Sequence, residues 1–416
     1  MIDFNEFELA NGLKVIVHED TTTPIATFNL LYNVGAKDEN EKKTGFAHFF
    51  EHFMFEGSKN IKNYDTEMQI AGGDNNAFTT NDLTNYYETL PASNIETAFW
   101  LESDRMLELD FNQKSLDTQI SVVSEEFKEN YINKPYGDMW HILSDMCYTK
   151  HPYRWPTIGY NLDHIANIKM QDTKDFFYKY YRPNNAVLTI AGGVKTSEME
   201  RLTKKWFGDI ERGDLIVRDI PREPKQTAAR RKTVEGNVPV DAIMIAYHIC
   251  SRIDDKYYAT DLVSDLLGTG TSSRLYLELV QEKHLFSYIT CYVSGYDDEG
   301  LLVFDGKLSK GVSLEDAEKG ILECIENFKS ENVSERELEK VVTKTLNYLA
   351  FSNISNVNIS FNMAYFETIG EMGLINGETQ KYNEVTSQQI FDVANDIFRT
   401  ENSNTLYYKA KSSTNE

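Results

Sequence analysis

His48-Phe49-Phe50-Glu51-His52 lies inside an apolar run from Gly45 to Phe55, and its H-x-x-E-H spacing decides what that run must be. On a helix, residues four apart sit one above the other on the same face. His48 and His52 can therefore offer two imidazole nitrogens to a single ion, with Glu51 beside them and not required as a ligand. Two histidines and a later carboxylate would make a three-ligand zinc site whose fourth position stays open to water. The competing reading is a helix whose two histidines are solvated or satisfied in the core. Thr44-Gly45 opens this helix and Gly57 closes it.

Outward from that helix, strands and helices alternate. Phe7 to His18 reads as a hairpin turning at Asn11-Gly12. Ile25 to Val34 alternates as a strand ended by Gly35, and Asp65 to Ala71 as a short helix ended by Gly72-Gly73. Thr84 to Leu90 is a strand stopped by Pro91. Asn94 to Leu107 and Leu116 to Tyr131 are helices, the second carrying Glu125, Glu126 and Glu129. Asn185 to Ala191 is a closing strand. A polar stretch with Pro221, Pro224 and Arg230-Arg231-Lys232 reads as a linker.

The second half repeats the first. Leu31-Tyr32-Asn33-Val34 resembles Ala246-Tyr247-His248-Ile249 at an offset of 215 residues, and Asn185-Ala186-Val187-Leu188 corresponds to Asn404-Thr405-Leu406-Tyr407. At that offset His48, Glu51 and His52 meet Val263, Leu266 and Leu267. The scaffold therefore folds without histidines on that helix, and the first half carries them for another reason. The expected organisation is α+β with two homologous domains, each a mostly antiparallel sheet with helices packed on one face. Residues 1–210 form the ligand-bearing domain, 211–232 the linker, and 233–416 the copy without metal ligands.

A chain of 416 residues is too long for one core. Its 41% hydrophobic and 26% charged residues are those of a globular protein, with no apolar run long enough for a membrane span. A net charge of −23 argues against nucleic acid as a partner, because binding phosphates needs a basic face. Cys147, Cys250, Cys291 and Cys324 are widely spaced among apolar neighbours and read as small core residues. With no signal peptide visible, a cytoplasmic setting fits best, or a periplasmic one for a chain whose leader has been removed.

Longer motifs carry a resemblance. They are Gly45-Phe46-Ala47 leading into H-x-x-E-H; Gly72-Gly73-Asp74-Asn75-Asn76-Ala77-Phe78-Thr79; and Val122-Val123-Ser124-Glu125-Glu126 leading to Asn133-Lys134-Pro135-Tyr136-Gly137. Tyr181-Arg182-Pro183-Asn184-Asn185 and Ser272-Ser273-Arg274-Leu275-Tyr276 complete them. The chain resembles one two-domain half of a pitrilysin/insulinase-type (inverzincin) zinc metallopeptidase, the group that includes the mitochondrial processing peptidase β subunit. It is most similar to the short bacterial members.

The resemblance implies one zinc per chain held by His48, His52 and Glu126, with Glu51 as general base toward a water. Glu126 fits the family's V-x-x-E register; Glu125 would point about 100° away around the helix, and Glu129 is the remaining competitor. Asn76-Ala77-Phe78 matches the segment that holds an extended peptide substrate. Two departures stand out. Gln119 replaces a supporting glutamate, and Val280 and Ser287 stand where an Arg and a Tyr often bind substrate, although Tyr288 lies next door. Family enzymes enclose substrate between two such halves, so a homodimer or a heterodimer with a second family subunit is expected. The implied activity is a zinc endopeptidase for peptides or unfolded segments; the alternative is a non-catalytic binding or assembly subunit. A two-metal carboxylate oxidoreductase would want paired E-x-x-H motifs on several helices, which are absent.

Overall fold

Gly12 turns the first hairpin at φ +88°, a left-handed conformation that asparagine-glycine turns supply. It joins β1 (Asn5–Glu8) to β2 (Lys14–Glu19). The structure is a computed structural model describing residues 1–411, and the chain divides into two compact units.

The first unit comprises Met1–Phe127, Trp155–Ile220 and Leu349–Gly377. Besides β1 and β2 its sheet contains β3 (Ile25–Tyr32), β4 (Asp74–Thr79), β5 (Thr84–Pro91) and β6 (Ala186–Gly192), in the order β1-β2-β6-β3-β5-β4. Only β2 and β6 run parallel. β6 is buried along its whole length and β3 along all but its first residue, so both faces of this sheet need cover. On the face expected to carry helices, Phe28 meets Phe99 of the helix Glu96–Leu107 edge-on at 4.9 Å and stacks on Phe207 of the helix Thr196–Phe207. The other face is also covered. There Leu31, Val187 and Ala191 pack with Ile359, Met363 and Ala364 of the helix Asn356–Thr368, which comes from the far half of the chain.

The second unit comprises Lys128–Arg154, Pro221–Tyr348 and the segment from Glu378 onward. Its strands are β7 (Arg230–Gly236), β8 (Ala242–His248), β9 (Phe286–Ser294), β10 (Leu301–Leu308) and β11 (Ser403–Ala410), in the order β7-β11-β8-β10-β9. Position for position this reproduces β2-β6-β3-β5-β4, again with one parallel pair, β7 with β11. The exchange of helices is reciprocal. Met139, Leu143 and Cys147 of the helix Met139–Cys147 pack with Ala242, Met244 and Ala246 on β8. The duplicated α+β organisation is thus present, with each unit taking one helix from the other half of the chain.

Two local differences stand out. Residues 211–229 have no regular structure, but Arg230, Arg231 and Lys232 open β7 instead of ending the linker. β7 is an edge strand, where charge is tolerated, and Arg231 makes a bidentate pair with Glu318 at 2.8 and 2.6 Å. The Glu126 helix runs Gln113–Phe127 and continues as a π-helical turn, Lys128–Asn133. No helix among the described residues is long and apolar enough to cross a membrane.

Candidate metal centre and active site

The helix Phe46–Phe53 buries Phe46, Ala47, Phe49, Phe50 and Phe53 and leaves His48, Glu51 and His52 on the remaining face. Its start is fixed by Gly45 at φ +84°, where a Cβ would stand 2.4 Å from the Ile158 carbonyl oxygen. Gly45 has no side chain to cap the helix, and Glu39 does so from a distance. Its two carboxylate oxygens accept the N–H groups of Gly45 at 2.8 Å and Ala47 at 2.7 Å. Burial raises Glu39 to about 8, against the lowering effect of the N–H groups of Ala47, Gly45 and Phe46.

The helix Gln113–Phe127 brings Glu126 to this face. Glu126 Oε2 lies 3.4 Å from His52 Nε2 and 3.8 Å from His48 Nε2, and the two imidazoles sit edge to face at 4.8 Å. Among the described residues His48, His52 and Glu126 form a group able to hold a metal, with donor atoms within 4.8 Å of one another. The donor set fits zinc. Tetrahedral coordination with bonds of about 2 Å has donor–donor edges of roughly 3.3 Å, close to the two nitrogen–oxygen separations.

Electrostatics agree with a ligand role. Burial lowers His48 to about 4, against the raising effect of Glu126, so the imidazole is neutral at physiological pH with a lone pair free to bind. His48 Nδ1 is buried without a hydrogen-bond partner. Glu126 is held below the usual carboxylate range by its bond to His52 and its attraction to His48. Glu51 moves the other way, raised by burial although the Thr79 hydroxyl donates to its Oε2.

The remaining candidates fall as follows. Asn76, Ala77 and Phe78 lie on β4, the open edge of the first sheet, and Thr79 at its end reaches Glu51. Asn76 Oδ1 accepts the Ala77 N–H at 2.8 Å, while the Phe78 ring packs on Phe361 at 5.2 Å. The Phe78 side chain is thus engaged in packing within the first unit. Glu125 is exposed. Gln119 donates to Glu56 Oε1 at 2.5 Å, and its own Oε1 is buried without a partner. In the second unit Val280 uses its carbonyl to bond His284 Nδ1 at 3.0 Å, and the Ser287 hydroxyl donates to the Lys307 carbonyl at 3.1 Å. Arg274 is held by Glu337 through two bonds of 2.9 Å and serves structure. Sequence reasoning assigned nothing to Glu39, Glu56 or Thr79. Only Thr79 carried a signal, its place directly after Asn76-Ala77-Phe78.

Residues 14–150 match the family described as insulinase (peptidase family M16), and residues 167–345 match the peptidase M16 inactive domain. The chain is similar to the zinc protease PqqE of Helicobacter pylori, with 30% identity over 411 residues covering 96% of this chain and 91% of that one. It is also similar to the β subunit of the mitochondrial processing peptidase of Saccharomyces cerevisiae, 27% identical over 309 residues, 71% of this chain and 66% of that one. A crystal structure of a protease from Helicobacter pylori superposes with a TM-score of 0.92 at 27% identity, covering 98% of this chain and all of the other.

Proposed function

The chain belongs to the insulinase family of peptidases (family M16), and from that premise we propose that it is a zinc endopeptidase cleaving peptides and unfolded segments. One zinc per chain would be held by His48, His52 and Glu126. The observation that carries this reading is the convergence of those three donors beside Glu51. Bound there, zinc would supply Lewis acidity, acidifying a water and polarising a carbonyl.

The side chains supply the rest. Glu51 has Oε2 engaged by Thr79 and keeps Oε1 to take a proton from water and return it to the leaving amine. Burial raises its pKa toward the range of a useful general base. β4 offers main-chain groups along an open edge, so an extended peptide would gain affinity from backbone hydrogen bonds with little demand on sequence.

Elemental analysis and a quenched-peptide assay test the proposal together. Wild-type protein is expected to carry one zinc, to cleave peptide, and to lose both on chelation. His52→Ala should lose the metal. Glu51→Gln should keep it and lose about 10² to 10⁴ in kcat. Undiminished zinc in His52→Ala would refute the ligand set, and near-normal cleavage by Glu51→Gln would show that another group activates the water. A second reading, a non-catalytic binding subunit, draws support from Gln119, whose amide is engaged by Glu56. A zinc-loaded wild type that cleaves no peptide would favour it.

A further inference from the structure

We infer that Thr79 is the positioning residue of Glu51, tying the general base to the edge strand beside it; this rests on the reading of Glu51 as base. The Thr79 hydroxyl donates to Glu51 Oε2. A hydrogen bond to an ionised acceptor is among the stronger kinds, so it can hold a flexible side chain in one place.

The donor is well anchored and the acceptor is not. Thr79 ends β4 and pairs with Thr84 on β5. The next turn is closed by Thr80, whose hydroxyl accepts the N–H groups of Asp82 and Leu83 at 3.1 Å each. A β-branched side chain is stiff about χ1, so the backbone at Thr79 fixes where its hydroxyl points. Glu51 reaches out on three rotatable bonds, one residue from His52 and three from His48. Unheld, its carboxylate is free to turn toward the imidazoles or the metal they would bind, filling the position that must stay open. Held by Oε2, it presents Oε1 to the reacting proton.

The hydrogen bond also fixes where the base stands relative to the substrate. A peptide added along β4 would be registered by the same strand that orients Glu51, so the scissile bond and the base share one frame. Orientation of this kind acts on kcat more than on KM, since the peptide itself need not touch the hydroxyl.

The test compares Thr79→Val, Thr79→Ala and Thr79→Ser, each alone and combined with Glu51→Gln. Val and Ala should lose about 10- to 100-fold in kcat, the scale of a misplacement near 1 Å, with KM and zinc content unchanged. Ser, which keeps the hydroxyl, should restore most of the activity. In the Glu51→Gln background, removing the hydroxyl should bring no further loss, because there is no base left to aim. Wild-type kcat in both Val and Ala, equal losses in the two backgrounds, or a raised KM with kcat intact would each overturn the assignment. The hydrogen bond is also read without turnover. In metal-free protein Thr79→Val should lower Tm by about 2 °C with Glu51 present and leave it unmoved in Glu51→Ala. Absence of that coupling overturns the positioning role. Coupling in a zinc-loaded wild type that cleaves no peptide overturns the peptidase reading and leaves the Thr79–Glu51 bond standing.

Discussion

Arg105 is among the largest fully buried side chains of the described residues, and it does not stand alone. Its Nε donates to Glu102 Oε2 at 2.8 Å, and Glu88 lies 3.6 Å from its Nη2. The Tyr64 hydroxyl bridges the two acids, donating its one hydrogen to one and able to accept from the other when that is protonated, and the guanidinium stacks over Tyr86 at 4.3 Å and Tyr64 at 4.6 Å. Burial pushes Glu88 well above the usual carboxylate range, so the cluster holds a proton between its two acids. Removing the cation leaves at least one carboxylate buried without compensation. Arg105→Met should therefore destabilise by about 3–5 kcal/mol, and adding Glu102→Leu should recover part of that loss, read by urea denaturation. An Arg105→Met protein as stable as wild type would show that the cluster takes up its charge in another way. The sequence could not reveal this, because Glu102, Asp104 and Arg105 on an amphipathic helix look like a solvated face. His48, Glu51 and His52 were legible for the opposite reason: their chemistry depends on spacing within one helix. Glu126 needed the family register, since nothing local ties a carboxylate to histidines 78 and 74 positions earlier.

At the scale of elements, the candidate site stands on two helices and one strand edge, and the helix carrying His48 and His52 is only eight residues long. A helix so short is not stable by itself, so tertiary contacts and caps must hold it. Glu39 is the cap that the Gly45 start requires. Glu39→Ala would leave the Gly45 and Ala47 N–H groups without their acceptor, a loss of about 1–3 kcal/mol, and should lower Tm and zinc affinity together. Glu39→Gln, which retains one acceptor oxygen, should fall between. An unchanged Tm in Glu39→Ala would mean that water serves the helix start equally well. Strands β1, β2, β3, β5 and β6 followed from alternation and turn residues, while the sheet order did not, and the duplicated pattern β2-β6-β3-β5-β4 against β7-β11-β8-β10-β9 explains why the repeat was visible. Helix Asn356–Thr368 was not readable as part of the first unit. Packing across hundreds of residues leaves no periodic signal, and its apolar residues fit any core. In the second unit Val263, Leu266 and Leu267 are no more than 2% exposed, so positions that carry the candidate site residues in the first unit serve its core.

For the molecule as a whole, we propose that one chain is half of a working enzyme. Only the first unit bears a metal-ligand group among the described residues, and the second offers Val280 and Ser287 where substrate-binding Arg and Tyr are expected by family resemblance. A metal face left open would keep bulk water competing for every hydrogen bond to a peptide. Closure by another half would exclude that water and strengthen the electrostatics at Glu51. It would also admit only unfolded peptides small enough to enter. Light scattering should therefore give a dimer, or a monomer with little activity until a second subunit is added. Charge separates those two outcomes. Each chain carries −23, so two copies repel, and a homodimer should tighten as salt screens the repulsion. A complex with a less acidic or basic partner should loosen instead. Titrating salt from about 0.05 to 0.5 M, across which the screening length falls from roughly 14 to 4 Å, reads the sign directly. A strictly monomeric protein that is fully active and cleaves folded substrates would refute the half-enzyme account, because neither exclusion of water nor a size limit would then be at work.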